Sequence, residues 1–110
     1  KLMSINQNLI DELNIKKINK KPENFYILPK KAIDQNYKLK INKLINILNK
    51  KKIDFQFISS NENVAWLLNI RGKDSKFTPI PNAYLSIDID KRIYLFCDLN
   101  KINNTLKKKI

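Results

Sequence analysis

The chain has 110 residues, of which 43% are hydrophobic and 29% are charged, and its formal net charge is +12. This length allows one small domain with a modest core, and the apolar content is typical of a globular chain rather than a disordered one. No apolar run approaches the roughly 18 residues that span a bilayer, which excludes a membrane-spanning helix.

The positive charge indicates an acidic partner, and nucleic acid is the first to consider. Of the 22 basic residues, however, 20 are Lys, and only Arg71 and Arg92 are Arg. Arg is the side chain that makes bidentate contacts with phosphate and guanine, so its scarcity favours a solvated, lysine-rich surface. A small nucleic-acid-binding domain stays open as an alternative function.

Residues 1–36 are interpreted as a linker segment that packs on a domain formed by residues 37–110. The chain starts with Lys1 rather than Met, so we expect it to be part of a longer polypeptide or a processed product. Pro22 and Pro29 bracket an extended stretch over residues 23–28, because Pro interrupts regular structure on both sides.

The first strong helical pattern follows Asp34, which can cap the helix. Apolar residues recur at helical spacing and form one face, made of Tyr37, Ile41, Leu44, Ile45 and Leu48. Residues 50–52 are all Lys and close the helix where cations suit its dipole. Residues 53–58 are rich in aromatic and β-branched side chains and predict a strand.

A second, shorter helix is predicted after Ser59 or Ser60, because either hydroxyl can cap it. Its apolar residues are Val64, Ala65, Leu67 and Leu68, and we expect Trp66, which lies among them, to belong to the core. Residues 69–82 then form a loop that contains the only glycine, Gly72. Loops of this length in compact domains are often functional.

The last third of the chain predicts a hairpin and a closing helix. Residues 83–88 alternate as a strand, residues 90–91 make a tight turn, and residues 92–97 return as a second strand. Residues 100–109 can form a helix. The order of elements predicts an α/β domain with a mixed sheet flanked by helices, in which the strand–helix–strand part is parallel and the hairpin antiparallel.

The chain offers little catalytic chemistry of its own. It has no His, which excludes a catalytic triad or a Cys–His pair within these residues, and its single Gly excludes a phosphate-binding loop. Asp88 with Asp90, or Asp54 with Glu62, could bind a cation, although surface acids at a turn are usually solvated. Cys97 is typical of a buried small residue in a reducing compartment. We therefore predict no catalytic residue and no metal ligand here.

The most specific segment is residues 63–74, with the sequence NVAWLLNIRGKD, followed by Thr78-Pro79 and by residues 83–85, AYL. This pattern resembles the hallmark Ile-Ala-Trp-Leu-Leu-Asn-(Ile/Leu)-Arg-Gly-x-Asp in the middle domain of three-domain Xaa-Pro aminopeptidases. These are aminopeptidase P enzymes of the creatinase/prolidase superfamily. The resemblance extends over nearly the whole chain, although the Trp that this family has after the acidic residue at Asp11 is absent.

The resemblance implies a creatinase/prolidase N-terminal-like fold with a ribonuclease H-like motif. It also implies that a separate pita-bread catalytic domain of the same polypeptide holds two divalent metal ions, usually Mn²⁺. That domain would remove the N-terminal residue from peptides whose second residue is Pro. Family members are generally cytoplasmic and often form homodimers through the catalytic domain. The present chain would then be a non-catalytic domain; a free-standing scaffold that has lost its catalytic partner is the alternative.

Under this resemblance, two loop residues carry a hypothesis about substrate access. The corresponding loop of two-domain relatives reaches toward the active-site region, so Arg71 and Asp74 are expected to help shape the substrate entrance. The alternative, which we favour, is that Arg71 and Asp74 pair with each other or with a domain interface and hold the loop, since isolated charge pairs are mostly structural.

Overall fold

The computed structural model describes residues 23–109, so the first part of the predicted linker segment lies outside the described residues. The helices and strands are β1 (Tyr26–Ile27), α1 (Tyr37–Lys50), β2 (Phe55–Ile58), α2 (Asn61–Leu68), β3 (Ile70–Arg71), β4 (Tyr84–Asp88), β5 (Ile93–Phe96) and α3 (Asn104–Lys109). Short 3₁₀ turns occur at Lys30–Ala32 and Leu99–Lys101. Within residues 23–109, no helix combines the length and the apolar character needed to cross a membrane.

Helix α1 forms where the apolar stripe predicts it. Its cap is Asn36 rather than Asp34, because the Asn36 Oδ1 accepts a hydrogen bond of 2.9 Å from the backbone N–H of Lys38. The predicted face turns inward: Ile41, Ile45 and Leu48 are buried, and Tyr37 and Leu44 are partly buried. The extended stretch predicted between the two prolines is confirmed as well, since β1 lies within it.

The strands form two small antiparallel sheets. Strand β1 pairs with β3, and the larger sheet has the order β2-β4-β5. The α/β class and the hairpin are confirmed, but the predicted parallel pairing is wrong, because Phe55 lies opposite Asp88 and Ile58 opposite Leu85. After β2, the chain passes through α2, β3 and the following loop, and it re-enters the sheet beside the last residue of β2. Strand β4 therefore starts opposite Ile58 and runs back along β2.

The hydrophobic core lies between the inner face of the larger sheet and the three helices. Leu85 and Ile87 of β4 have no exposed surface, and Phe25, which precedes β1, is 1% exposed. The rest of the core cluster comes from the three helices, from β3 and from the residue before β4: Ile41, Ile45, Leu48, Val64, Leu67, Leu68, Ile70, Ala83 and Leu106. The described part of the predicted linker segment thus contributes a large aromatic ring to the core.

Trp66 is not part of this core, so the expectation for it was wrong. Its side chain is 58% exposed, although its neighbours in α2 are buried. Helix α2 is apolar on almost all sides, and local sequence does not decide which side faces inward. The contacts of α2 with the sheet and α1 place Trp66 on the outer side, where it becomes part of the surface.

Candidate functional site at the end of the second helix

Helix α2 ends at a left-handed residue, and this sets the direction of the chain that follows. Asn69 has φ 55° and ψ 34°, a conformation that Asn tolerates better than most residues. It is buried, and its side-chain Nδ2 donates a 2.9 Å hydrogen bond to the carbonyl of Gln35. This turn starts β3 and aims the loop after it.

A buried lysine fixes this turn from the side of α1. Lys40 is 6% exposed, and its Nζ donates 2.6 Å hydrogen bonds to the backbone carbonyl of Trp66 and to Oδ1 of Asn69. The ammonium also lies 4.3 Å from the centre of the Trp66 ring. Burial, helped by the nearby charge of Arg71, lowers the pKa of Lys40 below its ordinary 10.5. The Lys40 ammonium therefore forms its hydrogen bonds with groups inside the domain.

The sequence position of Lys40 is itself a signal of this internal role. Lys40 lies three residues after Tyr37 and four before Leu44, and therefore on the apolar stripe of α1. A lysine at such a position can place its aliphatic stem along the core and its ammonium at a helix end. The acceptors for that ammonium are far away in sequence, so a pattern in α1 alone could not identify them.

Arg71 holds the same helix end from the other side. Its Nη1 donates to the backbone carbonyl of Ala65 at 3.0 Å and to that of Ile70 at 2.8 Å. The residue is half-buried. A cation next to the last carbonyls of a helix interacts favourably with the helix dipole, so Arg71 stabilises the end of α2.

Asp74 clamps the loop. One carboxylate oxygen forms an ion pair with Nζ of Lys101, and the other accepts the backbone N–H of Asn82, both at 2.5 Å. The Asp74 and Lys101 side chains are 15% and 17% exposed. Across the described residues, Arg71 and Asp74 do not pair with each other; each has its own partners.

Gly72 is required by a close approach between two segments. A Cβ atom on Gly72 would lie 2.9 Å from the Pro81 Cα and 3.0 Å from Cδ1 of Phe25. The Gly72 N–H also donates a 3.1 Å hydrogen bond to the carbonyl of Pro79. The two ends of the loop therefore touch through backbone atoms, and only glycine leaves room for this contact.

Two of the four acidic residues proposed as cation ligands have another role. Asp88 and Asp90 both form ion pairs with Arg92, at 2.7 Å and 3.1 Å, and close the hairpin turn. In the described part of the chain, no three His, Cys, Asp or Glu side chains lie close enough together to hold a metal ion. Burial raises the pKa of the half-buried Cys97 thiol above its ordinary 9.0, which disfavours a reactive thiolate.

This arrangement of helices, antiparallel strands and a loop held at both ends defines an α/β domain with two small antiparallel sheets. The family described as Creatinase/Prolidase N-terminal domain matches residues 16–110, and the chain belongs to that family. A probable Xaa-Pro aminopeptidase P from Laccaria bicolor is 31% identical over 100% of this chain, and Xaa-Pro aminopeptidase 1 from Dictyostelium discoideum is 28% identical over 94% of it. The chain spans only 17% of the length of each of these relatives.

A solved structure matches the fold closely. The X-prolyl aminopeptidase from Caenorhabditis elegans, described as a cytosolic enzyme with a di-nuclear active site, superposes with a TM-score of 0.83. It is 28% identical and covers 96% of this chain, which itself covers 17% of the enzyme. The resemblance to Xaa-Pro aminopeptidases and the creatinase N-terminal-like fold are thus confirmed. Residues 23–109 do not group the ligands that a di-nuclear metal centre would need.

Proposed function

We propose that this chain is the non-catalytic middle domain of a Xaa-Pro aminopeptidase, packed on the metal-bearing catalytic domain of the same polypeptide. The observation that carries the proposal is the match over 96% of this chain to 17% of an enzyme whose active site is di-nuclear. The catalytic domain would bind two divalent metal ions, with Mn²⁺ the expected metal. It would release the N-terminal residue from peptides whose second residue is Pro.

Within that enzyme, Arg71 and Asp74 act as positioning residues for substrate access. Their polar groups bind backbone atoms and Lys101, so they would affect the peptide through the position of the loop rather than by direct contact. The buried contact of Gly72 with Phe25 and Pro81 supports the same role, because it leaves the start of the loop little freedom to move. A rigid loop is what a substrate entrance needs if it is to hold a peptide in one orientation.

The test is the kinetics of Arg71→Ala in the complete polypeptide. We expect kcat/KM toward a Xaa-Pro peptide to fall about tenfold, because small displacements of positioning elements are costly. The matched control is Arg92→Ala, which removes the other arginine at an exposed hairpin turn and should leave kcat/KM unchanged. If Arg71→Ala lowers stability but leaves kcat/KM unaltered, Arg71 has a structural role only and the proposed role in substrate access is wrong.

Organisation and location follow from the same proposal. The proposed division has a domain at residues 37–110 and an entry segment at residues 1–36; the burial of Phe25 supports the packing of the described part of that segment on the domain. The enzyme would be cytoplasmic, like the Caenorhabditis elegans enzyme, which is described as cytosolic. It would form a homodimer through its catalytic domain, so light scattering should find the 110-residue chain alone to be a monomer.

A further inference from the structure

The end of α2 is held by a lysine from another helix. The last carbonyls of a helix have no partner within it, so they need donors from elsewhere. Lys40 of α1 reaches this end: its Nζ donates 2.6 Å hydrogen bonds to the Trp66 carbonyl and to Oδ1 of Asn69, the residue that caps the helix. Lys40 therefore fixes a helix end that lies 26 residues further along the chain.

Asn69 connects this helix end to the loop that follows. Its Nδ2 donates to the Gln35 carbonyl at 2.9 Å, and its own carbonyl accepts the Leu28 N–H at 3.1 Å. Its left-handed backbone, with φ 55°, turns the chain from α2 into β3. Arg71 lies two residues later, so a change in the orientation of Asn69 would displace the start of the loop.

Lys40 and Arg71 bind neighbouring groups at the same helix end. Lys40 donates to the Trp66 carbonyl, and Arg71 donates to that of Ala65, one residue earlier, at 3.0 Å. Burial, and after it the nearby charge of Arg71, lowers the pKa of Lys40. The two cations are thus close enough to interact electrostatically, and the position of one depends on the position of the other.

A lysine is an unfavourable residue at this position if stability alone is considered. Lys40 is 6% exposed and lies on the apolar stripe of α1, between Tyr37 and Leu44. Burying a charge is unfavourable, and an apolar side chain of similar length, such as that of Met, would avoid this loss. The cation therefore indicates a need for the contact itself, which sets the position of the end of α2.

We propose that Lys40 is a positioning residue for peptide cleavage, which acts through the end of α2 on Arg71 and on the loop that follows. The inference rests on the proposed function, under which this loop shapes the substrate entrance. Lys40 would not contact the peptide, because its ammonium is bound inside the domain. Its effect would be to hold the entrance in the place where the peptide binds in one orientation.

Steady-state kinetics of the complete polypeptide on a Xaa-Pro peptide test the inference. Lys40→Met should lower kcat/KM about tenfold, mainly through a higher KM, because the entrance holds the peptide both before and during the reaction. A smaller number of folded molecules would instead lower the apparent kcat and leave KM unchanged. An unchanged KM for Lys40→Met overturns the inference.

Two controls separate positioning from stability, and a second variant repeats the test. Lys38→Met, on the exposed side of α1, should leave KM unchanged. Leu48→Ala opens a cavity under the same helix and should lower the melting temperature without changing KM. Lys40→Gln keeps a hydrogen-bond donor without the charge and should also raise KM. An equal rise in KM for Leu48→Ala and Lys40→Met overturns the inference, because any weakening of α1 would then affect the peptide.

The double variant Lys40→Met/Arg71→Ala tests the step through Arg71. Because both cations act on the same helix end, the double variant should lose little more kcat/KM than Arg71→Ala alone. Losses that multiply to about a hundredfold would mean that Lys40 acts independently of Arg71, which overturns the inference.

The wild-type sample separates the two proposals. An active wild-type polypeptide with an unchanged KM for Lys40→Met overturns the role of Lys40 alone. A folded, metal-loaded wild-type polypeptide that does not cleave the Xaa-Pro peptide overturns the proposed function, and the role of Lys40 with it.

Discussion

Asp74 and Lys101 form an ion pair of 2.5 Å that joins the loop after β3 to the 3₁₀ turn before α3. The other oxygen of the same carboxylate accepts the backbone N–H of Asn82. One acidic side chain therefore ties together both ends of the loop and a segment 27 residues further along the chain. The position of the loop therefore depends on this carboxylate.

Replacing Asp74 with Asn should destabilise the chain by about 1.5–3 kcal/mol, the range for a hydrogen bond to a charged group. The amide oxygen of Asn can still accept from the Asn82 N–H, but the ion pair with Lys101 is lost. Urea denaturation of the 110-residue chain, followed by circular dichroism, measures the change in the free energy of unfolding.

Lys73→Gln is the matched control for this ion pair. Lys73 pairs with Glu23 at 2.8 Å, but the two side chains are 64% and 58% exposed. Exposed pairs contribute less than about 1 kcal/mol, so this variant should be close to wild type. Equal losses for Asp74→Asn and Lys73→Gln would show that the covered ion pair does not hold the loop.

Gly72→Ala tests the close approach between the loop and the core. The added methyl group would meet the Pro81 Cα, a backbone atom that cannot move aside cheaply. We expect a loss of about 1–3 kcal/mol, as for other overpacked sites. Ser75→Ala, at an exposed position in the same loop, is the control. A wild-type unfolding midpoint for Gly72→Ala would mean that the loop adjusts without cost.

The buried ammonium of Lys40 predicts a dependence of stability on pH. Its pKa is lowered by burial, so between the lowered value and 10.5 the unfolded chain binds more protons than the folded chain. The free energy of unfolding therefore gains a contribution that rises with pH in this window. Lys40→Met should remove that rise, whereas Lys38→Met, on the exposed side of α1, should keep it.

The measurement is urea denaturation at a series of rising pH values that ends at 10.5, the ordinary pKa of lysine. The difference in unfolding free energy between wild type and Lys40→Met should grow with pH. A difference that stays constant over the series would contradict the account of Lys40.

The alternative of nucleic-acid binding has a direct test. With 20 Lys and two Arg, the chain should show weak retention on DNA or RNA at low salt through phosphate contacts alone. We expect this retention to disappear near physiological salt. Tight retention at that salt concentration, lost when Phe57 or Tyr94 is replaced by Ala, would favour the alternative.

Much of the fold could be predicted because its signals are local. The stripe of α1 spaces Ile41, Ile45 and Leu48 at helical intervals, and these residues are buried. The Ser60 hydroxyl does cap α2, through a 3.4 Å bond from the Asn63 N–H. Apolar periodicity and helix caps involve residues only a few positions apart, so a short stretch of sequence is enough to predict them.

The errors concern contacts between distant parts of the chain. The pairing of β2 with β4 depends on the path of the loop between them, and the exposure of Trp66 depends on how α2 packs. Lys101 lies 27 residues from Asp74, and the two partners of Lys40, Trp66 and Asn69, lie 26 and 29 residues from it. No local pattern selects Lys101 over Arg71 as the partner of Asp74. The sequence therefore locates the candidate site, but it does not predict which of its residues contact each other.

The proposed function, a non-catalytic domain of a Xaa-Pro aminopeptidase, has one direct test. The most direct measurement compares release of the N-terminal residue from a Xaa-Pro peptide by the 110-residue chain and by the complete polypeptide, each supplied with Mn²⁺. We predict release by the complete polypeptide and none by the chain. Release by the chain alone, or none by a folded and metal-loaded complete polypeptide, would contradict the proposed function.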